Sequence, residues 1–422
     1  MGKETNMRLS ITLLFTLFIQ FTMAQKIKAK KADDFLEQLL MSNPLFKDVM
    51  ANKDVHRIQI VYTEINRDAK NKPSFNTHTY NLNHNLYFYP ASTAKMPTAF
   101  LALQKLNELK IKGLNKNTSM LTDSAWLKQY AVTNDSTAEN YNASIAHYIK
   151  KIFMVSDNEA NNRLYEFLGQ EYLNNSLAIL GYKEAQILHR LGVSYPEDVN
   201  RHTNPIRFVD KNNKLVYSQA PQVSKLKYLK RNDLLGKAYY KNDSLINQPF
   251  DFSIKNRLHL DDLNDMMLKV IFPEVYPANK RFNLTKEDYR FLLKYMSQMP
   301  TESIFPKYDT TEFYDTYCKF LMYGSEKGTI PKNIRIFNKV GDAYGFLTDI
   351  AYIVDFEKNI EFALSATIYV NADETFNDDK YEYETVGLPF MKNLGQEIYQ
   401  YELKRERQFK PYLNKFKIKY DK

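Results

Sequence analysis

Apolar and polar residues alternate near both ends of the 422-residue chain, whereas apolar residues in the middle of the chain recur at the spacing of a helix. Near the start, Val55–Glu64 and Thr79–Phe88 flank a turn rich in Asn, Lys and Pro, which predicts a β-hairpin. Near the end, three further strands are predicted over Ile334–Gly341, Asp349–Val354 and Glu361–Val370. Strands from distant parts of one chain imply a shared sheet. We therefore predict a two-lobed α/β (α+β) fold, an antiparallel sheet flanked by helices plus a helical lobe.

The segments between these strands are predicted to be mostly helical. Apolar residues recur at helical spacing in Ala32–Met50, Ser92–Lys110, Ser144–Gly181, Leu260–Ile271, Thr285–Met296 and Val386–Glu402. Residues 201–257 are rich in Lys, Asn and Tyr and lack sustained periodicity. We interpret this stretch as an insertion into a single domain that spans residues 25–403.

Charge and cysteine content exclude several classes of protein. Most of the net charge of +9 lies in residues 404–422, where eight Lys and Arg residues accompany Glu406 and Asp421. The body of the chain is thus nearly balanced, so we expect a solvated basic tail and no nucleic-acid partner. The one cysteine, Cys318, excludes an intramolecular disulfide framework, and the seven histidines form no zinc-binding motif. No phosphate-binding loop occurs, so we expect neither metal nor organic cofactor.

The first residues have the pattern of an export signal. Lys3 and Arg8 precede the apolar run Leu9–Phe21, and the small residue Ala24 that follows marks the expected cleavage position. A run of this length is too short to cross a hydrocarbon core of about 30 Å. We therefore expect residues 1–24 to be removed, and the mature protein to be a periplasmic or secreted monomer without a stable membrane span.

The stretch Ser92-Thr93-Ala94-Lys95 combines a nucleophile with a base. A serine hydroxyl becomes a good nucleophile only when a neighbouring group removes its proton. A lysine three residues later lies on the same helix face, and desolvation would lower its pKa enough for it to act as that base. The motif alone is weak evidence, because a second Ser-x-x-Lys, Ser224–Lys227, lies in the aperiodic insertion.

Two further polar motifs follow in the chain. Ser156-Asp157-Asn158 comes directly after an apolar helical run, where a hydroxyl could relay a proton and an amide could hold a substrate. Lys339-Val340-Gly341 ends a predicted strand, where a positive charge stands beside a residue that permits close approach of a substrate. Taken singly, these motifs could equally be a helix cap and a hairpin turn.

In this order, the three motifs resemble the Ser-x-x-Lys, Ser-Asp-Asn and Lys-Thr-Gly set of the penicillin-recognising serine hydrolases, and most closely that of the class A serine β-lactamases. The resemblance covers about residues 55–203 and 258–403 and implies the β-lactamase/transpeptidase-like fold. It implies that Ser92 is the nucleophile that forms an acyl-enzyme. Lys95 would activate Ser92, and Ser156 would protonate the leaving nitrogen, aided by the charge of Lys339.

The resemblance also implies roles in binding and deacylation. Asn158 would hold the substrate amide, and the backbone N–H groups of Ser92 and Asp342, beside Gly341, would form the oxyanion hole. Asn162 matches the asparagine that supports the loop with the deacylating glutamate. In the corresponding region Glu197 is the nearest match, but its spacing to Asn200 is one residue short and the leucine of the family pattern is missing. An ordinary surface glutamate is the alternative interpretation of Glu197.

The predicted function is hydrolysis of a β-lactam amide through an acyl-enzyme, with a small β-lactam or peptidoglycan-like molecule as substrate. Val340 stands where the family has a threonine that binds the substrate carboxylate, and the insertion could cover the cleft as a flap. These departures leave a D-alanyl peptidase (transpeptidase-like) or an esterase as an alternative. A second alternative is a noncatalytic penicillin-binding sensor, although such a module would not need Ser92, Lys95 and Ser156 together.

Overall fold

The structure, a computed structural model, describes residues 34–127 and 129–422, so the predicted export signal 1–24 lies outside the described residues. The strands are, in chain order, β1 Gln59–Arg67, β2 Pro73–Tyr80, β3 Ser119–Thr122, β4 Ile206–Val209, β5 Leu215–Gln219, β6 Leu234–Leu235, β7 Ala238–Lys241, β8 Ser244–Ile246, β9 Phe250–Asp251, β10 Ile334–Ala343, β11 Phe346–Asp355, β12 Ile360–Tyr369 and β13 Thr375–Phe376. The α-helices are α1 Phe35–Ser42, α2 Lys47–Ala51, α3 Lys95–Leu109, α4 Ile145–Val155, α5 Asn158–Leu168, α6 Gln170–Leu180, α7 Glu197–Arg201, α8 Leu260–Ile271, α9 Lys286–Ser297 and α10 Leu388–Lys404.

The main sheet joins the two ends of the chain. Its strand order is β10-β11-β12-β1-β2, and every neighbouring pair is antiparallel. The junction between early and late sequence is the β1–β12 pair, in which Gln59 faces Thr367. Helices α3 to α6 form the separate lobe that the helical spacing predicts. The predicted fold class, an antiparallel sheet flanked by helices with a helical lobe, is thus confirmed.

Both faces of this sheet are buried. On β11, Ile350 and Tyr352 belong to the apolar core shared with α3, α4 and α8, whereas Ala351 and Ile353 belong to the core under α1 and α10. Successive side chains of a strand point to opposite faces, so one strand supplies both cores. Strands β11 and β12 are therefore buried along their whole length, and apolar residues occupy successive positions in them rather than alternate ones.

Two predicted elements near the start differ in their bounds. The helix predicted over Ala32–Met50 is interrupted at Asn43, because the residue before Pro44 is disfavoured in the helical conformation. The hairpin forms, but its second strand is β2, and the extended segment predicted over Thr79–Phe88 ends at Tyr80. The carboxylate of Asp68 accepts backbone N–H bonds from Lys70 and Lys72 and so closes a tight turn. Residues 81–90 are instead a loop that leads to the first motif.

The insertion and the tail are both ordered. Strands β4 and β5 of the insertion extend β3 into a small antiparallel sheet, and β6 pairs with β9. The basic tail is not solvated as expected: Phe416 is 1% exposed and packs against Phe337 and Tyr352. Lys and Arg residues dominate the composition of the tail, so its buried apolar contact could not be recognised from the sequence. Within the described residues, no helix has the length and apolar character needed to cross a membrane.

Candidate active site

Ser92 lies in a single 3-10 turn, Ala91–Ala94, immediately before α3. The turn is fixed by Thr93, whose backbone N–H and hydroxyl both donate to the carbonyl oxygen of Pro90, at 3.0 and 2.6 Å. Ala91 has a φ of 44°, a left-handed conformation that non-glycine residues rarely adopt. The backbone N–H of Lys95 donates to the carbonyl oxygens of Ser92 and Thr93, so α3 begins directly after the turn that holds Ser92.

Ser156 occupies the joint between α4 and α5. It ends α4 in a left-handed conformation with a φ of 60°, and Asp157 then caps α5 by accepting the backbone N–H of Ala160. This joint directs both oxygens of Ser156 toward Lys95. The ammonium nitrogen of Lys95 donates to the backbone oxygen of Ser156 and lies 3.3 Å from its Oγ.

Lys339 reaches the same hydroxyl from the sheet. Its Nζ lies 2.8 Å from Ser156 Oγ and 2.7 Å from the backbone oxygen of Val340. Ser156 Oγ can accept one hydrogen bond on each lone pair, from Lys95 and Lys339, which leaves its own O–H free to donate elsewhere. The structure therefore brings one residue from each of the three sequence motifs into a single hydrogen-bonded cluster.

Both lysines have lowered pKa values. Burial, and then the charge of Lys339, hold the pKa of Lys95 well below its ordinary value of 10.5. Burial lowers the pKa of Lys339 to about 8. Desolvation disfavours the charged form of each amine, and two ammonium groups around one hydroxyl repel each other. The arrangement thus favours a neutral amine on Lys95 next to a charged Lys339.

Strand β10 lies against the nucleophile turn. A Cβ atom added at Gly341 would come within 2.7 Å of Pro90 O and 2.8 Å of the backbone nitrogen of Ser92. Only glycine permits this approach, which sets the end of β10 beside the N–H of Ser92. Asp342, whose N–H is the other predicted oxyanion donor, follows directly and is exposed. Val340 is 2% exposed and lies in the core on the α10 side.

The loop after α6 rests on the second motif. The side-chain amide of Asn162 donates to Leu191 O and accepts from Leu191 N, both at 2.9 Å. Next to it, a Cβ atom at Gly192 would lie 2.6 Å from Nδ2 of Asn158, an exposed residue at the start of α5. Asn162 thus supports a loop, as the resemblance implies, but the residue that it holds is Leu191.

Glu197 is not part of this cluster. It begins α7, and its Oε1 is 2.8 Å from Nη2 and 2.9 Å from Nε of Arg201. That arginine also donates to the backbone oxygens of Ser224 and Leu226, so the pair fastens α7 to the insertion. The carboxylate is 43% exposed and has a structural partner. Ion pairing thus directs the Glu197 side chain toward Arg201, and its role in catalysis stays a prediction.

An aromatic wall, which no sequence pattern predicted, lies beside the nucleophile turn. Tyr89, three residues before Ser92, packs edge-on against Tyr344, with ring centroids 5.1 Å apart. Phe250 and Phe252 of the insertion pack against Tyr344 at 5.5 and 5.4 Å. The insertion thus packs against the residues that follow Gly341 in the chain. Aromatic residues are frequent throughout the chain, so no sequence signal distinguished these four.

The family model for the beta-lactamase enzyme family matches residues 45–401. No curated protein matches the chain significantly. Among solved structures, it is similar to a beta-lactamase from Sphaerobacter thermophilus, with 10% identity over 88% of this chain and 97% of that chain and a TM-score of 0.47. A beta-lactamase from Francisella tularensis has 15% identity over 88% of this chain and 100% of its own, with a TM-score of 0.46. PBP-A has 16% identity over 88% and 96%, with a TM-score of 0.44.

The family model spans most of the chain and includes all three motifs and the strands and helices that bring them together. The predicted family resemblance is therefore confirmed, and with it the general class of serine hydrolases of the β-lactamase and penicillin-binding kind. The chain belongs to the beta-lactamase enzyme family.

Proposed function

We propose that this protein opens a β-lactam amide by forming an acyl-enzyme on Ser92. The observation that carries the proposal is the position of Ser156 Oγ, within hydrogen-bonding distance of both Lys95 and Lys339. A hydroxyl held by two amines is suited to pass a proton to a leaving nitrogen. The lowered pKa of Lys95 favours the neutral amine, which can act as the matching base.

The proposed reaction has two stages. In the first stage, the neutral amine of Lys95 takes the proton of the Ser92 hydroxyl. At the same time Ser92 Oγ attacks the carbonyl carbon of the β-lactam amide. The N–H groups of Ser92 and Asp342 bind the oxyanion that forms, and such a donor is typically worth about 10²–10³ in rate. The amide C–N bond then breaks as Ser156 gives its proton to the nitrogen and takes from Lys95 the proton that came from Ser92. In the second stage, water attacks the ester and releases the acid from Ser92.

A D-alanyl peptidase or transpeptidase is the second candidate, and the residue held by Asn162 favours it. Rapid hydrolysis of the ester needs a carboxylate that activates water. Asn162 holds Leu191, a residue without an acidic group, and Glu197 is paired with Arg201. Val340 lacks the hydroxyl for a substrate carboxylate. An enzyme of this design would be acylated by penicillins and would release them slowly.

A chromogenic cephalosporin combined with intact-mass spectrometry tests the proposal. We expect an absorbance burst equal to the enzyme concentration and a mass increase that maps to the peptide with Ser92. Continued turnover supports the β-lactamase. A long-lived adduct supports the peptidase, which release of D-alanine from a peptide that ends in D-alanyl-D-alanine would then verify. Without any adduct the proposal fails, and a panel of esters would separate an esterase from a noncatalytic module.

Replacement of Leu191 with glutamate should accelerate release of the penicilloyl group by about 10²-fold, because a carboxylate on this loop could activate the attacking water. Glu197→Gln is the matched control and should leave the release rate within about twofold, because its partner is Arg201. The decay of the adduct, followed by mass spectrometry, measures both rates. Slower release in Glu197→Gln would restore Glu197 as the base and contradict this assignment.

The rate of acylation should be highest at intermediate pH. At low pH it falls because Lys95 gains a proton and cannot act as a base. It also falls above about pH 8, where Lys339 loses its proton and its charge. Lys339→Arg should extend activity to higher pH, since a guanidinium stays charged up to about pH 12. Stopped-flow acylation at a series of pH values measures both limbs, and an alkaline limb that does not move in Lys339→Arg would assign it to another group.

We also propose that the protein acts outside the cytoplasm as a monomer. The basis for this location is the export pattern that ends near Ala24. Expression in a Gram-negative host should yield periplasmic protein that begins at or near Gln25, as determined by mass spectrometry of its N-terminal peptide. Cytoplasmic protein that retains residues 1–24 would contradict the proposal.

A further inference from the structure

Four ligand-type side chains meet on the surface away from the three motifs. His84 lies in the loop 81–90, which leads to the nucleophile turn. Glu184 lies in the loop after α6, and His259 and Asp261 lie at the start of α8. The two latter segments are held side by side by reciprocal backbone hydrogen bonds between Gln186 and Arg257. The cluster therefore joins three segments that are far apart in sequence.

The side chains are arranged as two imidazole–carboxylate pairs. Nε2 of His84 lies 2.9 Å from an oxygen of Asp261, and Nε2 of His259 lies 3.0 Å from an oxygen of Glu184. The two rings stack at 3.8 Å with an angle of 12° between their planes. One ligand atom each from His84, Glu184 and His259 lie within 4.8 Å of one another. Small rotations of these side chains would allow the three ligand atoms to bind one ion.

The exposure of two of these side chains and the second carboxylate oxygen of Glu184 suit such an ion. The side chains of His84 and Glu184 are 47% and 57% exposed and can adjust, whereas that of His259 is 8% exposed and fixed at the start of α8. Arg257 donates to one oxygen of Glu184 at 3.1 Å, and a carboxylate has a second oxygen for an ion.

We propose that His84, Glu184 and His259 bind a divalent transition-metal ion, with Asp261 as the fourth ligand. Two imidazoles and two carboxylates are a ligand set that suits Zn²⁺ better than Mg²⁺ or Ca²⁺, which prefer oxygen ligands alone. A set of four protein ligands would leave no open position, so the ion would be structural. It would fasten the loop before Ser92 to the loop before Leu191.

Calorimetric titration of the EDTA-treated, dialysed protein with Zn²⁺ tests the proposal. We expect saturable binding of one ion per chain, and an absorption edge with nitrogen and oxygen ligands. His84→Ala should weaken binding by more than about 100-fold, which exceeds the usual effect of losing an outer-shell partner. His202→Ala is the matched control, because this ring stacks on Trp126 and should bind no metal. Mg²⁺ should not compete.

Binding that is not saturable, or that is unchanged in His84→Ala, would overturn the proposal. Glu184→Gln gives a second test at an exposed position where folding should be unaffected, and we expect at least about a tenfold loss of affinity. Ser92→Ala should bind Zn²⁺ as tightly as the parent protein. The proposed metal site and the proposed acyl-enzyme are therefore tested by separate measurements.

Discussion

Ser92→Ala should abolish the covalent adduct with penicillins and reduce turnover of a chromogenic cephalosporin by a factor on the order of 10⁶. The hydroxyl is the atom that forms the ester, and the other side chains of the site offer no replacement nucleophile at the same position. The variant should keep its fold, because Ser92 is only partly buried and the turn around it is fixed by Thr93. Intact-mass spectrometry and initial rates measure the two effects.

The second Ser-x-x-Lys supplies a matched control for this experiment. Ser224 lies in the insertion, where its hydroxyl accepts the backbone N–H of Leu226 at 3.2 Å. Ser224→Ala should retain both the adduct and the turnover. If Ser92→Ala kept either property, the proposed active site would be wrong, whatever the result with Ser224.

Lys95→Met should slow acylation by about 10²–10⁴-fold, the range expected when a general base is lost. Methionine retains much of the length of the side chain but cannot accept a proton. Lys95→Arg should be about equally slow, because a guanidinium stays protonated at neutral pH. The pair separates the role of a base from the role of a positive charge. Single-turnover acylation rates provide the measurement.

Lys105 is the control for removal of a buried amine from α3. Its Nζ donates to the side-chain oxygen of Gln219 at 2.7 Å, and burial lowers its pKa to about 8. Lys105→Met should change thermal stability more than the acylation rate. Full acylation in Lys95→Arg would show that charge suffices and would remove Lys95 as the base.

The motifs and much of the secondary structure could be predicted because each depends on local sequence. The helix with Lys95 and the strand with Lys339 have strong apolar patterns, and their predicted bounds are within a few residues of those observed. The length of the turn at Asp68 was harder to predict. A hydrogen bond from the backbone N–H of Lys70 to the Asp68 carboxylate closes the turn earlier than its composition suggested. The tail was misjudged because its lysines outnumber the two apolar side chains, Leu413 and Phe416, that anchor it.

The contacts of the deacylation loop could not be predicted. Glu197 was selected from spacing to an asparagine, yet the residue held by Asn162 is Leu191, six positions earlier. Which residue Asn162 holds depends on how the loop returns to α5. The hydrogen bonds that determine this contact join residues 29 positions apart. The aromatic wall has the same origin, because Phe250 and Tyr344 meet only through packing of the insertion.

The sequence by itself determined the family, the sheet assembled from both chain ends and the identity of the candidate nucleophile and lysines, since residue type and spacing carry that information. Only the tertiary structure decided that Ser156 stands between two amines, that Lys95 is buried enough for its pKa to fall, and that Leu191 occupies the supported position of the loop. Desolvation and long-range hydrogen bonds depend on what surrounds a side chain, and those surroundings come from segments far away in the chain.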